Sequence, residues 1–327
     1  MRHIVYTALA VAAFCLATAC QHETMPDAPN NGLRKMIVHA SQADTRTYVE
    51  YDPTEGRWLS YWSGIDEIDL FGFSGDDYFF GYSSQSPVEE GDRKATFSVT
   101  FYDGAPLSGD CQYVGAYPRE NAEAINSEDP RWIDAWGSSS TLRWGLIGTI
   151  DSAQHPAPYG FGSDYDLMVS KMTGDVELTT EGFYPVGDVS LTFARVGSIA
   201  KITLRGLTPN EELWGGTFSH GSSWQSTGDV IYDPVAEKIA VLPAQATEIS
   251  FCPDGQILVD EHGEAVIWLR VLSGTLSDHF TISVETNDDP YGQEEYTTYS
   301  KTVTLESPIT FTEGNITAFT VRLNKVL

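Results

Sequence analysis

The sequence predicts an all-β protein built from two domains, and three observations carry that reading. Apolar residues alternate with polar ones at a period of two in segment after segment, the pattern of half-buried strands. Clusters of Gly, Pro, Asn and Asp punctuate those segments at short intervals. The chain has 327 residues, near twice the usual domain of about 100–150 residues. Hydrophobic residues make up 41% of it, enough to fill real cores and to exclude wholesale disorder.

Taken in order, the strands are read as follows. Phe97, Val99 and Phe101 share one face of a strand. Val189–Phe193 and Ala200–Leu204 alternate in the same way, as do Val266–Val271, Phe280–Val284 and Ile316–Leu323. Turns are expected at Asp52–Gly56, Gly72–Asp76, Thr208–Asn210 and Asn287–Pro290. Long amphipathic helical stretches are absent, and one short helix is expected over Arg119–Ile125. Many short strands at regular spacing point to sandwiches or barrels. The polar, Gly-containing stretch Met172–Gly182 places the division near residue 180.

Charge narrows the function. With 19 Lys and Arg against 46 Asp and Glu, the net charge is −27. Nucleic-acid affinity comes mainly from Lys and Arg neutralising phosphates, so a nucleic-acid partner is not expected. A basic membrane-surface patch is excluded on the same ground.

The N-terminus reads as export. Met1-Arg2-His3 is a short basic start, and Ile4–Ala19 is an apolar run too short to span a bilayer. Residues 1–19 are therefore expected to be a signal peptide. Leu16-Ala17-Thr18-Ala19-Cys20 resembles a bacterial lipobox, with Ala17 where Leu is usual, so Cys20 is the expected lipidated N-terminus. Residues 20–32 are polar with Pro and Gly, as a tether would be. Residues 33–180 and 181–327 then form the two β domains. Cys111 and Cys252, one in each half, are read as separate buried thiols.

Chemistry-bearing motifs are sparse. No HExxH, GxSxG or phosphate-cradling Gly loop occurs. The histidines are scattered without metal-ligand spacing, so no metal and no cofactor is predicted. Asp76/Asp77, Asp164/Asp166 and Asp288/Asp289 read as solvated turns rather than as a glycosidase pair. Trp214 and Trp224 lie among Gly and Ser, and Trp132, Trp136 and Trp144 form a second aromatic stretch. Both read first as core or edge aromatics. The alternative is a glycan-contacting loop carrying Trp214, Trp224 or the Trp132–Trp144 stretch.

Several motifs in order resemble the fimbrillin family, the type V pilins and pilin-like surface lipoproteins of Bacteroidota. They are Val38–Thr47 with its Thr-Arg-Thr element, Trp62–Phe71 and Tyr113–Pro118. Ile150–Gln154, Ser163–Asp166, the Val189–Phe193 and Ile199–Leu204 pair, Val241–Pro243 and Phe311–Thr317 follow. Ile65 stands where the family usually has Gly.

The resemblance implies two tandem transthyretin-like β-sandwich domains, with Val189–Phe193 and Ile199–Leu204 opening the second. It implies an outer-membrane lipoprotein precursor, trimmed by an arginine-specific protease that removes the first strand. A strand from another fimbrial subunit then fills the groove, satisfying its backbone groups and apolar slot together. The candidate first strand is Met36–Ala40, with Met36, Val38 and Ala40 on one face, and Arg46 and Arg57 are the candidate cleavage sites. The chain ends at Leu327 just after its last strand, with no extra donor segment evident. The expected role is therefore a non-catalytic tip, accessory or anchor subunit in adhesion. The alternative is a surface glycan-binding lipoprotein. Asp151-Ser152-Ala153 resembles an O-glycosylation acceptor of these bacteria, which makes Ser152 a candidate modification site.

Overall fold

The structure is a computed structural model. It describes residues 36–42, 48–52, 57–62, 66–84, 94–104, 110–158, 160–161, 166–178, 187–243, 247–288 and 296–326. Residues 34–327 group into one compact unit. The fold is all-β, as the alternation predicts, with one helix among the described residues. That helix is Pro130–Trp136, with Asp129 capping it and Pro130 opening it. The segment expected to be helical instead contains the strand Ala122–Asn126. Its backbone is taken up by antiparallel pairing with Trp144–Ile150, while Asp129 and Pro130 supply the cap and the N-terminal proline of the helix that does form.

The first large sheet has eight strands. Met36–Gln42 lies inside it, parallel to Val189–Arg195 on one side and antiparallel to Lys94–Gly104 on the other. The sheet continues through Asp77–Ser84 and Asp69–Ser74 to Asp110–Tyr117. Met168–Ser170 pairs both with Val189–Arg195 and with Asp110–Tyr117, so the sheet closes on itself. Its interior holds Val38, Trp62, Leu70, Phe97, Tyr113 and Phe193. Trp62 is central, meeting Phe97, Tyr117 and Phe193 edge-on at 5.3–5.6 Å.

The C-terminal part is a sandwich. One layer is Ser198–Arg205 between Glu264–Val271, antiparallel, and Ile316–Arg322, parallel. The facing sheet is built on Glu212–His220, His279–Asn287 and Thr297–Thr304. Ile202, Leu204, Ile267, Phe218 and Phe280 fill the space between them. A further sheet mixes the two halves, because Gly228–Asp233 pairs with Trp144–Ile150.

Here the structure departs from two expectations. Val189–Phe193 does not pair with Ile199–Leu204. The first joins the N-terminal sheet and the second the C-terminal one. Gly197, with φ of +80°, turns the chain between them, and a Cβ there would meet the carbonyl oxygen of Val271. Residue 180, the expected division, lies outside the described residues.

The second departure is Asp166. It is fully buried rather than solvated, while Asp76 and Asp77 sit at an exposed turn as expected. Arg195 donates to both Asp166 carboxylate oxygens, at 2.7 and 2.8 Å. Arg270 reaches the same carboxylate at 3.0 Å and donates to the Val196 carbonyl at 2.6 Å. Burial brings the Arg270 guanidinium down to about 10 against the pull of Asp166, which leaves it charged at neutral pH. The Gln154 amide closes the cluster by bonding both the Arg270 N–H and carbonyl. This buried group ties strands of both halves together.

Candidate assembly site

The site is the slot occupied by the first strand. Met36–Gln42 alternates strictly, so Met36, Val38 and Ala40 point inward and are buried, while His39 is exposed. The register sets Val38 opposite Phe97 on one side and Val189 on the other. Ala40 faces Ala95 and Leu191. On the outer surface His39 spans both neighbours, meeting Thr96 at 3.2 Å and Asp188 at 3.1 Å. Both ends of the second contact are about half exposed, so it adds little stability.

Taking this strand out would uncover two strands at once. Each of its larger apolar side chains contributes roughly 1.5–3 kcal/mol by burial. Each backbone group left buried without a partner costs about 1–3 kcal/mol. An emptied slot is therefore both apolar and rich in unpaired N–H and C=O groups, which is what an added strand satisfies.

The same arrangement recurs in the C-terminal layer. Ser198–Arg205 is also flanked by one antiparallel and one parallel strand, the parallel one being Ile316–Arg322. There the central strand continues directly from Val189–Arg195 through Gly197. Sequence reading found no repeat, because the correspondence lies in strand pairing and not in residue identity.

The other expected site residues are placed as follows. Cys20 and Arg46 lie outside the described residues. Arg57 begins the strand Arg57–Tyr61, where it stands opposite Asp52 in a hairpin. Ser152 is exposed at a bend, and its carbonyl accepts the Ser250 N–H at 2.8 Å. Trp214 is half-buried and meets the exposed Tyr296 edge-on at 5.6 Å. Trp224 is buried at 8% exposure, stacked between His220 at 4.9 Å and Phe311 at 4.8 Å. Burial holds the His220 imidazole below its ordinary value. Trp132 is the buried residue of the helix Pro130–Trp136, and Trp144 is half-buried. Cys111 is buried, its thiol pushed up to about 12, whereas Cys252 is exposed. The expectation of two buried thiols holds for the first only.

The residues that reading from sequence missed are Asp69, Arg195 and Arg270. A signal existed for two of them. Arg195 continues the inward face of Val189, Leu191 and Phe193, and Arg270 interrupts the apolar run Val266–Val271. A charge on a buried face needs a buried partner.

No family model matches the chain, and no curated protein matches it. Solved structures do. A candidate cell adhesion protein of Bacteroides ovatus aligns over 90% of this chain and 96% of its own, at 11% identity and a TM-score of 0.45. A similar protein of Bacteroides fragilis aligns over 89% and 97%, at 13% identity and a TM-score of 0.45. The fimbrial anchor protein Mfa2 of Porphyromonas gingivalis aligns over 80% of each chain, at 12% identity and a TM-score of 0.31. These are what the chain is similar to. No residue role transfers at such identities.

Proposed function

We propose that this chain is a non-catalytic, fimbrillin-like subunit of a surface fimbrium, acting in adhesion and joined to its neighbours by strand addition. The observation that carries the reading is the position of Met36–Gln42. It is a central strand with partners on both sides and a buried apolar face, and in sequence it is followed by a stretch that carries Arg46 before the next strand. Cutting after Arg46 leaves the strand attached to the N-terminal piece alone. Cutting after Arg57 does the same and also splits the hairpin. Head-to-tail addition does not close on itself and so yields a filament.

The same reading takes residues 1–19 as signal peptide, Cys20 as the lipid attachment point, residues 20–32 as tether, and the outer membrane as the anchoring surface. It takes the chain as two tandem transthyretin-like domains, with the N-terminal one extended to Arg195 because that strand completes the sheet of Met36–Gln42. Ser152, exposed at its bend, is the proposed glycosylation site, and the tip, accessory or anchor positions are the proposed places in the fibre.

The test is strand replacement. Protein trimmed with an arginine-specific protease is freed of its N-terminal piece and mixed with a synthetic peptide of residues 34–44. Saturable uptake of this peptide, and not of one with Val38→Asp, supports the reading. Failure of the trimmed chain to bind it counts against strand addition.

A further inference from the structure

We propose that the cleft beside Trp144 is a binding subsite for a neutral sugar ring of a surface polysaccharide. The cleft has a volume of about 370 Å³, within the range of small-molecule sites. One wall is aromatic. It is formed by Trp144, which stacks on Phe73 at 5.1 Å and 19°; Tyr78, outside the lining, packs 5.1 Å from the same Trp144 ring. Asp110, Gln112, Asp175 and Arg143 supply the polar lining.

The walls come from separate segments, and named bonds fix them. The Trp144 indole N–H donates to the Gly75 carbonyl at 2.9 Å, joining Trp144–Ile150 to the turn after Asp69–Ser74. The Gln112 amide donates to Asp175 at 2.8 Å. Thr173 bonds Tyr113 through backbone and hydroxyl, both at 2.9 Å. Arg143 is held by the buried Asp233 at 2.5 Å, and Met172 donates to the Pro234 carbonyl at 3.3 Å. The cleft is thus largely pre-formed, so a ligand needs little ordering of the protein.

Its chemistry selects the ligand. Two exposed carboxylates repel an acidic sugar or a phosphate. Arg143 in the same wall opposes a cation. A neutral polyol meets neither penalty, because its hydroxyls donate to carboxylates and accept from amide and guanidinium N–H groups. The apolar face of a sugar ring matches the part of the half-buried Trp144 ring that lines the cleft. Trp214 and Trp224 are placed differently: the first packs edge-on against Tyr296, and the second is buried between two rings.

The proposal does not rest on fibre assembly, and its test uses uncut protein. Hexasaccharides of glucose, mannose, galactose and N-acetylglucosamine are titrated in solution, with poly-lysine and heparin alongside. The expected result is saturable binding of at least one neutral sugar. Asp110→Ala and Asp175→Asn, both at exposed positions and the second keeping an acceptor for the Gln112 amide, should each weaken it tenfold or more without moving the melting temperature. Trp214→Ala should leave it unchanged. Binding of none of the four sugars overturns the proposal. So does binding that survives both Asp substitutions, or binding confined to poly-lysine or heparin.

Discussion

Val38 and Val189 stand in register in a parallel strand pair, and Val38 simultaneously faces Phe97 across an antiparallel one. A strand held from both sides, with its apolar face inward, is specified by that face, since a one-residue slip would turn every side chain outward. Val38→Asp is therefore expected to destabilise the chain by about 3–5 kcal/mol, the cost of an uncompensated buried charge. His39→Ala, one residue along on the exposed side, should stay within about 0.5 kcal/mol. Urea midpoints of the two variants check the contrast, and equal losses would contradict the register.

Asp166 bridges two buried guanidinium groups, those of Arg195 and Arg270. Asp166→Ala removes from Arg195 and Arg270 the buried carboxylate that they share and should cost about 3–5 kcal/mol. Asp76→Ala, at an exposed turn, should cost little. Denaturant melts compare the two, and a small effect at Asp166 would mean that the cluster does not join the halves.

Asp69 gives a pH dependence. Burial raises its carboxyl to about 7, against the Glu120 N–H bond and the nearby Arg119 charge. One of its oxygens, Oδ1, is buried without a hydrogen-bond partner. A raised folded-state value means that the protonated form is the one the fold favours. Its stabilising contribution is complete below about pH 4 and is lost as pH rises through 7. Relative to Asp69→Asn, the natural chain should lose up to about 1.4 kcal/mol per pH unit across that window. Urea midpoints at pH 5, 6, 7 and 8 test this, and parallel curves for the two proteins would refute it.

The thiols should separate by accessibility. Cys252 is exposed and Cys111 fully buried with its thiol pushed up to about 12. Since the thiolate is the reactive form, alkylation mapped by mass spectrometry should mark Cys252 in the native protein and Cys111 only after unfolding. Prompt labelling of Cys111 would show that the N-terminal core opens readily.

Much of the fold was legible in the sequence. Period-two alternation located Val189–Phe193, Ala200–Leu204 and Phe280–Val284, because in each one face is buried and the other is not, and the family resemblance pointed to Met36–Ala40. Sheet membership was not legible. Val189–Phe193 looks like a natural partner for its sequence neighbour, but Gly197 turns the chain away and a parallel pairing to residue 38 takes over. Long-range parallel pairing leaves no local signal. Asp166 was misread for the same reason, since its partners lie on strands distant in sequence. The cleft at Trp144 likewise assembles from segments that only the fold brings together, although its central aromatic stood out in the sequence.

The central claim is that the first strand is removable and its slot refillable. The direct measurement is brief digestion of the purified protein with an arginine-specific protease, followed by mass spectrometry and unboiled denaturing gels beside uncut protein. The account predicts cleavage after Arg46 or Arg57, loss of the piece carrying Met36–Gln42, and a trimmed chain that joins other fimbrial subunits in detergent-resistant species. A chain that resists cutting at both arginines, or that keeps its first strand after cutting, would contradict it.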